Sequence, residues 1–542
     1  MTPLKCAVAT PHASATQAAA RCVSAGGNAV DAAIAAALAL AVVQPHYTSA
    51  GGDLIALIRT PDGTITTVNA TGFAGRRTDP DRLAARYGAS MPASGVDTIT
   101  VPGAVAGLGV LHSLGAALPW AAGFEQACEL AADGVPASAS LVAAVHGNPA
   151  LIAADPGLRD LLAPRGSLLR YGQLLRQPAL AATLGEIARE GPRALYAGSL
   201  ADRLAHGLQA RGCMLDSEDL AAFEPTREAP LTSAFQGRDV ATSGPNSQGF
   251  FLLEALGILE RLGPGLQPLA HGARTLARIF QLAAQDRRDW LADPAAMQVT
   301  ASELLEPGRL DQLAERVAQP VHPAPPTGPV PPASPGAAGQ RRPADQQLTQ
   351  PAGDTVAVVT ADDSGRAVCL IQSVFHLLGS GVLEPGTGIL LQNRGSAFSL
   401  RGDSANRIAP RKRPAHTLMP VMVSSDNSLA WVIGTMGGTR QPQVQTQLIL
   451  RLSAGATEAE ALAAPRWVVE GNPDRPTAYI EDQVAGPAAA GIGAEMPVTW
   501  IAQEDEMTGR AQIARAANDD VVAASDPRGE GSAETALAAA GR

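Results

Sequence analysis

Aromatic side chains are scarce in this 542-residue chain, at 4%, and charged ones make up 17% against 46% hydrophobic. A disordered polyelectrolyte is thereby excluded, since so apolar a chain can bury a sizeable core. Basic clusters are nearly absent. Arg411-Lys412-Arg413 stands alone against a net charge of −10, which argues against a nucleic-acid partner. Cysteine is sparse too: Cys6, Cys22, Cys128, Cys213 and Cys369 are odd in number, scattered and without metal-ligand spacing. They read as small core residues, not as a disulfide framework or a metal site. The alanine-rich stretch 32–43 falls well short of the ~20 apolar residues that a bilayer span requires and reads as a buried helix. The first ten residues lack the basic, apolar and small-residue zones of a secretory signal. Cytoplasmic residence, with no membrane partner and no cofactor, is the expectation.

What is present is a sequence of changing texture. Periodicity predicts an opening strand, a helix over about 14–25 stopped by Gly26-Gly27, and a second helix from Asn28 with Asp31 in its first turn. After Gly51-Gly52-Asp53, the apolar run 54–58 and its partner 64–70 read as a hairpin around Pro61-Asp62-Gly63. From Gly103 to about Leu310 the pattern is mostly helical, with no fixed-period repeat. Proline, alanine, glutamine and glycine dominate about 319–353, a composition that cannot bury enough apolar area to fold, so this reads as a linker. Beyond it come strands over 355–360, 367–374, 418–423 and 429–434, then helices over 443–453 and 458–463. The closing residues, rich in alanine, glycine and glutamate, read as a loose tail. Runs of strands before packed helices predict an α/β molecule of sheet layers covered by helices.

Thr355 stands where the linker stops and the β-branched run starts, in Gly353-Asp354-Thr355-Val356-Ala357. Cleavage before it would leave a hydroxyl nucleophile and a primary amine on one residue, and an α-amino pKa of about 8 lets the amine serve as base near neutrality. A threonine opening a strand is otherwise only a good β-former, so the assignment needs companions. One is Gly434-Thr435-Met436-Gly437-Gly438, after the strand Trp431-Val432-Ile433. Its glycines either let backbone N–H groups converge as an oxyanion hole or simply make a strand-to-helix turn. The other is Ser373. If 355–360 and 367–374 pair as a hairpin, Ser373 lies opposite the start of the first strand and can bond to the Thr355 hydroxyl; otherwise it is a surface serine.

Five further segments carry a resemblance: Gly26-Gly27-Asn28-Ala29-Val30-Asp31-Ala32-Ala33, Val101-Pro102-Gly103-Ala104-Val105-Ala106-Gly107, Pro385-Gly386-Thr387-Gly388-Ile389-Leu390-Leu391, Ala463-Ala464-Pro465-Arg466-Trp467 and Ser525-Asp526-Pro527-Arg528. With these, in order over nearly its whole length, the chain resembles the γ-glutamyltransferase family of N-terminal-nucleophile hydrolases. The resemblance implies a four-layer αββα sandwich made by two subunits from one precursor, cut between Asp354 and Thr355. Residues 1–354 would be the large subunit and 355–542 the small one, with assembly into a higher oligomer left open. It implies that Thr355 Oγ first attacks the Asp354 carbonyl, and later a substrate amide. Ser373 would stand beside the nucleophile, Gly437 and Gly438 N–H groups would hold the oxyanion, and water or an acceptor amine would clear the acyl-enzyme.

At the glutamyl-binding positions the chain departs from that pattern. Thr71 stands where the family has an arginine for the α-carboxylate, and Ala397 where it has an aspartate for the α-amino group. Phe375 replaces an asparagine, and His416-Thr417 a serine pair. A zwitterionic glutamyl head would lose both charged partners, so glutathione is a poor expectation. Pro414-Ala415-His416-Thr417-Leu418-Met419-Pro420 and Gly437-Gly438-Thr439-Arg440-Gln441-Pro442-Gln443 resemble instead the oxamate amidohydrolase-like branch, some relatives of which are glutaryl acylases. Hydrolysis of a small or acidic non-glutamyl amide is expected. A γ-glutamyltransferase or glutathione hydrolase with an altered pocket, a glutaryl acylase, and an uncleaved relative with a binding role are the alternatives. Arg394 and His416 are candidates to bind an anionic acyl group, Arg394 by a bidentate carboxylate contact, with Asn393, Thr417, Phe375 and Thr71 around them. Equally, Arg394 reads as a solvated loop residue and His416 as a core hydrogen-bonding group. Arg411-Lys412-Arg413 reads as the brace of a surface loop.

Overall fold

The computed structural model describes residues 4–319, 354–426, 428–517 and 520–538. Its strands are β1 (Lys5–Thr10), β2 (Asp53–Arg59), β3 (Ile65–Ala70), β4 (Thr226–Glu228), β5 (Leu231–Phe235), β6 (Arg238–Thr242), β7 (Asp354–Asp362), β8 (Ala367–Phe375), β9 (Val421–Ser425), β10 (Ser428–Thr435), β11 (Ala511–Ala517), β12 (Asp520–Ser525) and β13 (Ser532–Leu537), besides those of one three-stranded and two two-stranded sheets apart from the two main ones. A seven-stranded sheet runs β13-β1-β7-β8-β2-β3-β4 and a six-stranded one β12-β11-β10-β9-β6-β5. Every pairing within them is antiparallel.

Alternation along the strands decides the layers. On β7, Val356 and Val358 join a core with helices α1 (Ala13–Ser24) and α2 (Ala29–Val43), whereas Ala357, Val359 and Ala361 share a second core with Val432 and Ala514 of the other sheet. β8 alternates likewise, Val368 and Leu370 to the helices, Cys369 and Ile371 to the sheet. Behind the six-stranded sheet, α3 (Gly249–Leu262), α4 (Ala273–Trp290) and α5 (Gln441–Ser453) bring Phe251, Phe280 and Leu448 against Val421 and Ile433. Helices, sheet, sheet, helices: the molecule is an αββα sandwich. The sheets come close at Gly434, where a Cβ would lie 2.9 Å from Ala357 Cβ. α2 is buried on every side, as its uniformly apolar sequence requires, and Asn28 and Asp31 close its start with a capping box.

Some expectations are corrected. Inside the section read as helical, 226–242 supplies β4, β5 and β6, whose many solvent-facing side chains hide the alternation. As far as residue 538 the closing residues are not a loose tail, for β11, β12 and β13 complete both sheets and β13 pairs with all of β1. Apart from Ala536 the side chains of β13 are exposed or half-buried, so no apolar pattern marks it. Residues 418–420 lead into β9 without being part of it. From residue 320 on, the expected proline-rich linker lies outside the described residues. All five cysteines are unbridged, four of them buried and Cys128 half-buried. Among the described residues no helix is long and apolar enough to cross a membrane.

Candidate active site

β7, β8 and β2 lie side by side, and their register sets Thr355, Ser373 and Asp53 in one row at the same end of the sheet. Ser373 pairs with Asp53, and Leu54 with Ala70, which brings Thr71 to the end of that row. Gln372 pairs with Val356 and Phe375 with Asp354, so Ser373 and Val374 together oppose Thr355 in a β-bulge. Thr355, Ser373 and Asp53 are in phase with Ala357, Ile371 and Ile55, which face the space between the sheets. The other sheet contributes residues 416–420 at the entry to β9 and the turn Met436-Gly437-Gly438 at the exit of β10. Gln248 ties these two together, its Nε2 donating to Thr417 O at 2.9 Å and Gly438 O at 2.8 Å.

Thr355 is 1% exposed, and its Oγ has no hydrogen-bond partner among the described residues. The expected bond between the Ser373 and Thr355 hydroxyls is therefore absent. The bulge instead directs the Phe375 N–H onto Ser373 Oγ at 2.7 Å, with Phe375 at φ 80°, a conformation that a non-glycine residue adopts only under constraint. Gly437 and Gly438 have φ of 128° and 56°, which side chains would resist. Neither N–H meets an acceptor among the described residues. Adjacent amides left open in this way are suited to receive an oxyanion.

Arg394, expected either in the pocket or in solvent, is 1% exposed. Its Cζ sits 3.6 Å from the centroid of the Phe375 ring, its Nη2 is 3.4 Å from Thr417 Oγ1, and Nε and Nη1 have no partner among the described residues. Burial lowers its pKa to about 9, with Asp53 opposing, so it remains a cation at neutral pH. Asp53 is as buried; its Oδ1 accepts from the Gly72 N–H at 2.9 Å and its Oδ2 faces His416 Nε2 at 3.2 Å. Burial lifts its carboxyl to about 7 against the pull of Arg394, the Gly72 N–H and Arg413. His416 is held well below the usual imidazole range, by burial first and then by Arg394. Its Nδ1 accepts from the Leu418 N–H at 3.2 Å, so Nε2 carries the proton and bonds to Asp53 as a neutral donor, not as half of an ion pair.

Other expected pocket residues are engaged with their neighbours. Asn393 Nδ2 donates to Ala93 O at 2.6 Å and meets His376 Nδ1 at 2.8 Å, while its Oδ1 accepts from the His376 N–H at 3.0 Å. Thr71 Oγ1 donates to Asn69 Oδ1 at 2.7 Å and lies 3.2 Å from Asn246 Oδ1. Of the basic triplet, Lys412 braces a loop through Ala405 O and Arg407 O. Arg413 differs: its Nε donates to Thr71 O at 3.1 Å, beside the pocket. Sequence reasoning passed over Asp53, Gln248 and His376. Asp53 did carry a signal, as an acid opening a strand in which every residue is buried. Among the described residues no group of three or more His, Cys, Asp or Glu is placed to hold a metal ion.

The fold has known counterparts. The Gamma-glutamyltranspeptidase family pattern matches residues 15–536. The chain belongs to the γ-glutamyltranspeptidase family. It is therefore an enzyme acting on amide bonds, of the N-terminal-nucleophile hydrolase kind. Over 468 residues it is 35% identical to the glutathione hydrolase-like YwrD proenzyme of Bacillus subtilis, covering 85% of this chain and 84% of that one. Over 469 residues it is 35% identical to the oxamate amidohydrolase proenzyme of Klebsiella pneumoniae, again covering 85% of this chain and 84% of the other. The crystal structure of cephalosporin acylase from Bacillus halodurans matches with a TM-score of 0.86 and 30% identity, over 100% of this chain and 97% of that one.

Proposed function

We propose that the chain is a proenzyme cut between Asp354 and Thr355, and that the mature enzyme hydrolyses amides of small acidic acyl groups, of which oxamate is the simplest. Arg394 carries the substrate reading. A buried guanidinium with Nε and Nη1 unpartnered, and Nη2 in one long contact, is costly unless acceptors complete its hydrogen bonds, which Asp53, near enough to act on its charge, does not do. A carboxylate meets its fork at two points. The oxamate amidohydrolase named among the relatives supports the same choice, and Ala397 offers nothing to an α-amino group.

In this reading Thr355 Oγ attacks the Asp354 carbonyl, the peptide becomes an ester, and water releases the new amino terminus at Thr355. The freed α-amine then takes the proton of its own hydroxyl as Oγ adds to the substrate amide carbon. Gly437 and Gly438 N–H groups hold the oxyanion, the protonated amine gives its proton to the leaving nitrogen, and water hydrolyses the acyl-enzyme. Phe375 supports Arg394 from below, Ser373 fixes the bulge opposite the nucleophile, and Thr417, Asn393, His416 and Thr71 form the walls. The test is a panel of oxamate, succinamate, glutaramate and a γ-glutamyl anilide, assayed for release of ammonia or amine. The acidic amides without an amino group are expected to lead in kcat/KM. A clear lead for the γ-glutamyl anilide sinks the proposal.

A further inference from the structure

Arg394 reaches Thr417 Oγ1 while Asp53 meets Nε2 of the adjacent His416, so a cation and an acid, each 1% exposed, are buried close together. An ionised Asp53 already balances Arg394. A carboxylate arriving on Arg394 would therefore leave a negative charge in excess where little water can screen it, and two carboxylates sharing a site do not both stay ionised. Among the side chains around Asp53 none supplies a compensating buried charge, and the Thr355 α-amine freed by cleavage, the other base in the row, is told apart from Asp53 by the Asp53→Asn variant below. His416 is a neutral ring whose Nε2–H already points at Asp53, and Gly72 offers one neutral N–H. His376 is kept neutral, by burial and then by Arg394, with a pKa of about 4, and burial keeps the Tyr196 phenol protonated. Arg413 is the remaining cation, but it is half-buried at the rim, where solvent weakens its field.

We propose that Asp53 takes up one proton from solvent as a carboxylate-bearing acyl group settles on Arg394, and that Asp53 thereby sets the charge of the acyl group the pocket admits. The inference rests on Arg394 as the carboxylate anchor. The proton comes from bulk water and buffer, no bond of the substrate changes, and the pocket's net charge is the same before and after binding. Neutral Asp53 also removes the acid that would repel the ligand. Burial already holds the free carboxyl at about 7, and for Asp53 to keep its proton at pH 8 the ligand charge must push it well above 8. Asp53 is thus a positioning and selecting residue: it tolerates an anion at Arg394 only when it carries a proton.

The experiment is calorimetric titration of the processed enzyme with propionate and butyrate, single carboxylates, at pH 8 in buffers of different ionisation heat. Close to one proton taken up per carboxylate bound is expected, with Kd weakening by up to about fivefold between pH 7 and pH 8. In Asp53→Asn the uptake should vanish and Kd become flat over that interval. Wild-type binding without proton uptake overturns the inference while leaving the Arg394 anchor standing, and it decides the matter even if the variant does not fold. Uptake persisting unchanged in Asp53→Asn overturns the assignment to Asp53. Failure of both carboxylates to bind overturns the anchor itself, and the inference with it.

Discussion

Arg394 lies over a phenyl ring with its donors unspent, so removing it should act on binding of the acid group and little else. Arg394→Ala is expected to lower kcat/KM for an acidic amide by roughly 30- to 150-fold, the worth of about 2–3 kcal/mol in charge-assisted hydrogen bonds. The change should fall mainly on KM. Arg394→Lys should rescue little, because a point charge replaces a fork. Steady-state kinetics with a neutral amide as control checks this; an equal loss on both substrates would mean that Arg394 only holds the fold. Asp53 leads to a second prediction at the same scale, in stability. Its folded-state carboxyl is raised, by burial, to about 7. An acid raised in this way favours the folded state at pH below about 4, where both states are protonated. The benefit is lost as pH rises through 7, because the unfolded chain releases its proton first. Thermal unfolding of the processed enzyme should show Asp53→Asn gaining on the wild type as pH climbs from 4 to 8, and a constant difference would refute the linkage.

Between residues and whole, the elements hold the site by closeness of approach. Gly434 lets the sheets meet: a Cβ there would be 2.9 Å from Ala357 Cβ, 3.0 Å from Ile371 Cδ1 and 3.4 Å from Cys369 Sγ. Gly434→Ala should destabilise by about 1–3 kcal/mol through overpacking, and Ala357→Gly in the same chain should return part of it. Additive losses in that double-mutant cycle would show that the two strands do not press on each other. The turn beyond Gly434 is sensitive for another reason. Gly437→Ala places a side chain at φ 128°, at a cost of about 1–3 kcal/mol, and displaces one of the open amides. A fall in kcat of roughly a hundredfold or more is expected if that amide serves the oxyanion.

These elements also show what could be read from the sequence. The hairpin β7–β8, the row position of Ser373 and the glycine turn after β10 follow from β-branched runs broken by turn residues, so they were legible. The hydroxyl bond between Ser373 and Thr355 was not, because a bulge is a decision of backbone geometry that no residue type announces. β13 escaped for want of an apolar face. Asp53 and Arg394 are far apart in sequence, and only folding makes them one electrostatic unit.

At the scale of the molecule, the expected cut falls after the first residue of β7, among strands that are already interleaved. β1, from before the cut, lies between β13 and β7 from after it; β2 pairs with β8, and β6 with β9. Cleavage between Asp354 and Thr355 breaks one covalent bond and none of these ladders, and the core between the sheets draws side chains from both parts. The two fragments should therefore migrate separately in denaturing electrophoresis, their masses together matching the 55.4 kDa chain, yet co-elute as one species in size exclusion without denaturant. Thr355→Ala should leave one intact, inactive chain, since the attacking hydroxyl is gone, while keeping the thermal unfolding of a folded protein. If fragments appear in that variant, an outside protease makes the cut and Thr355 is not the processing nucleophile. Separation of the two fragments under native conditions would instead mean that the interleaved strands do not hold the parts together once the chain is opened.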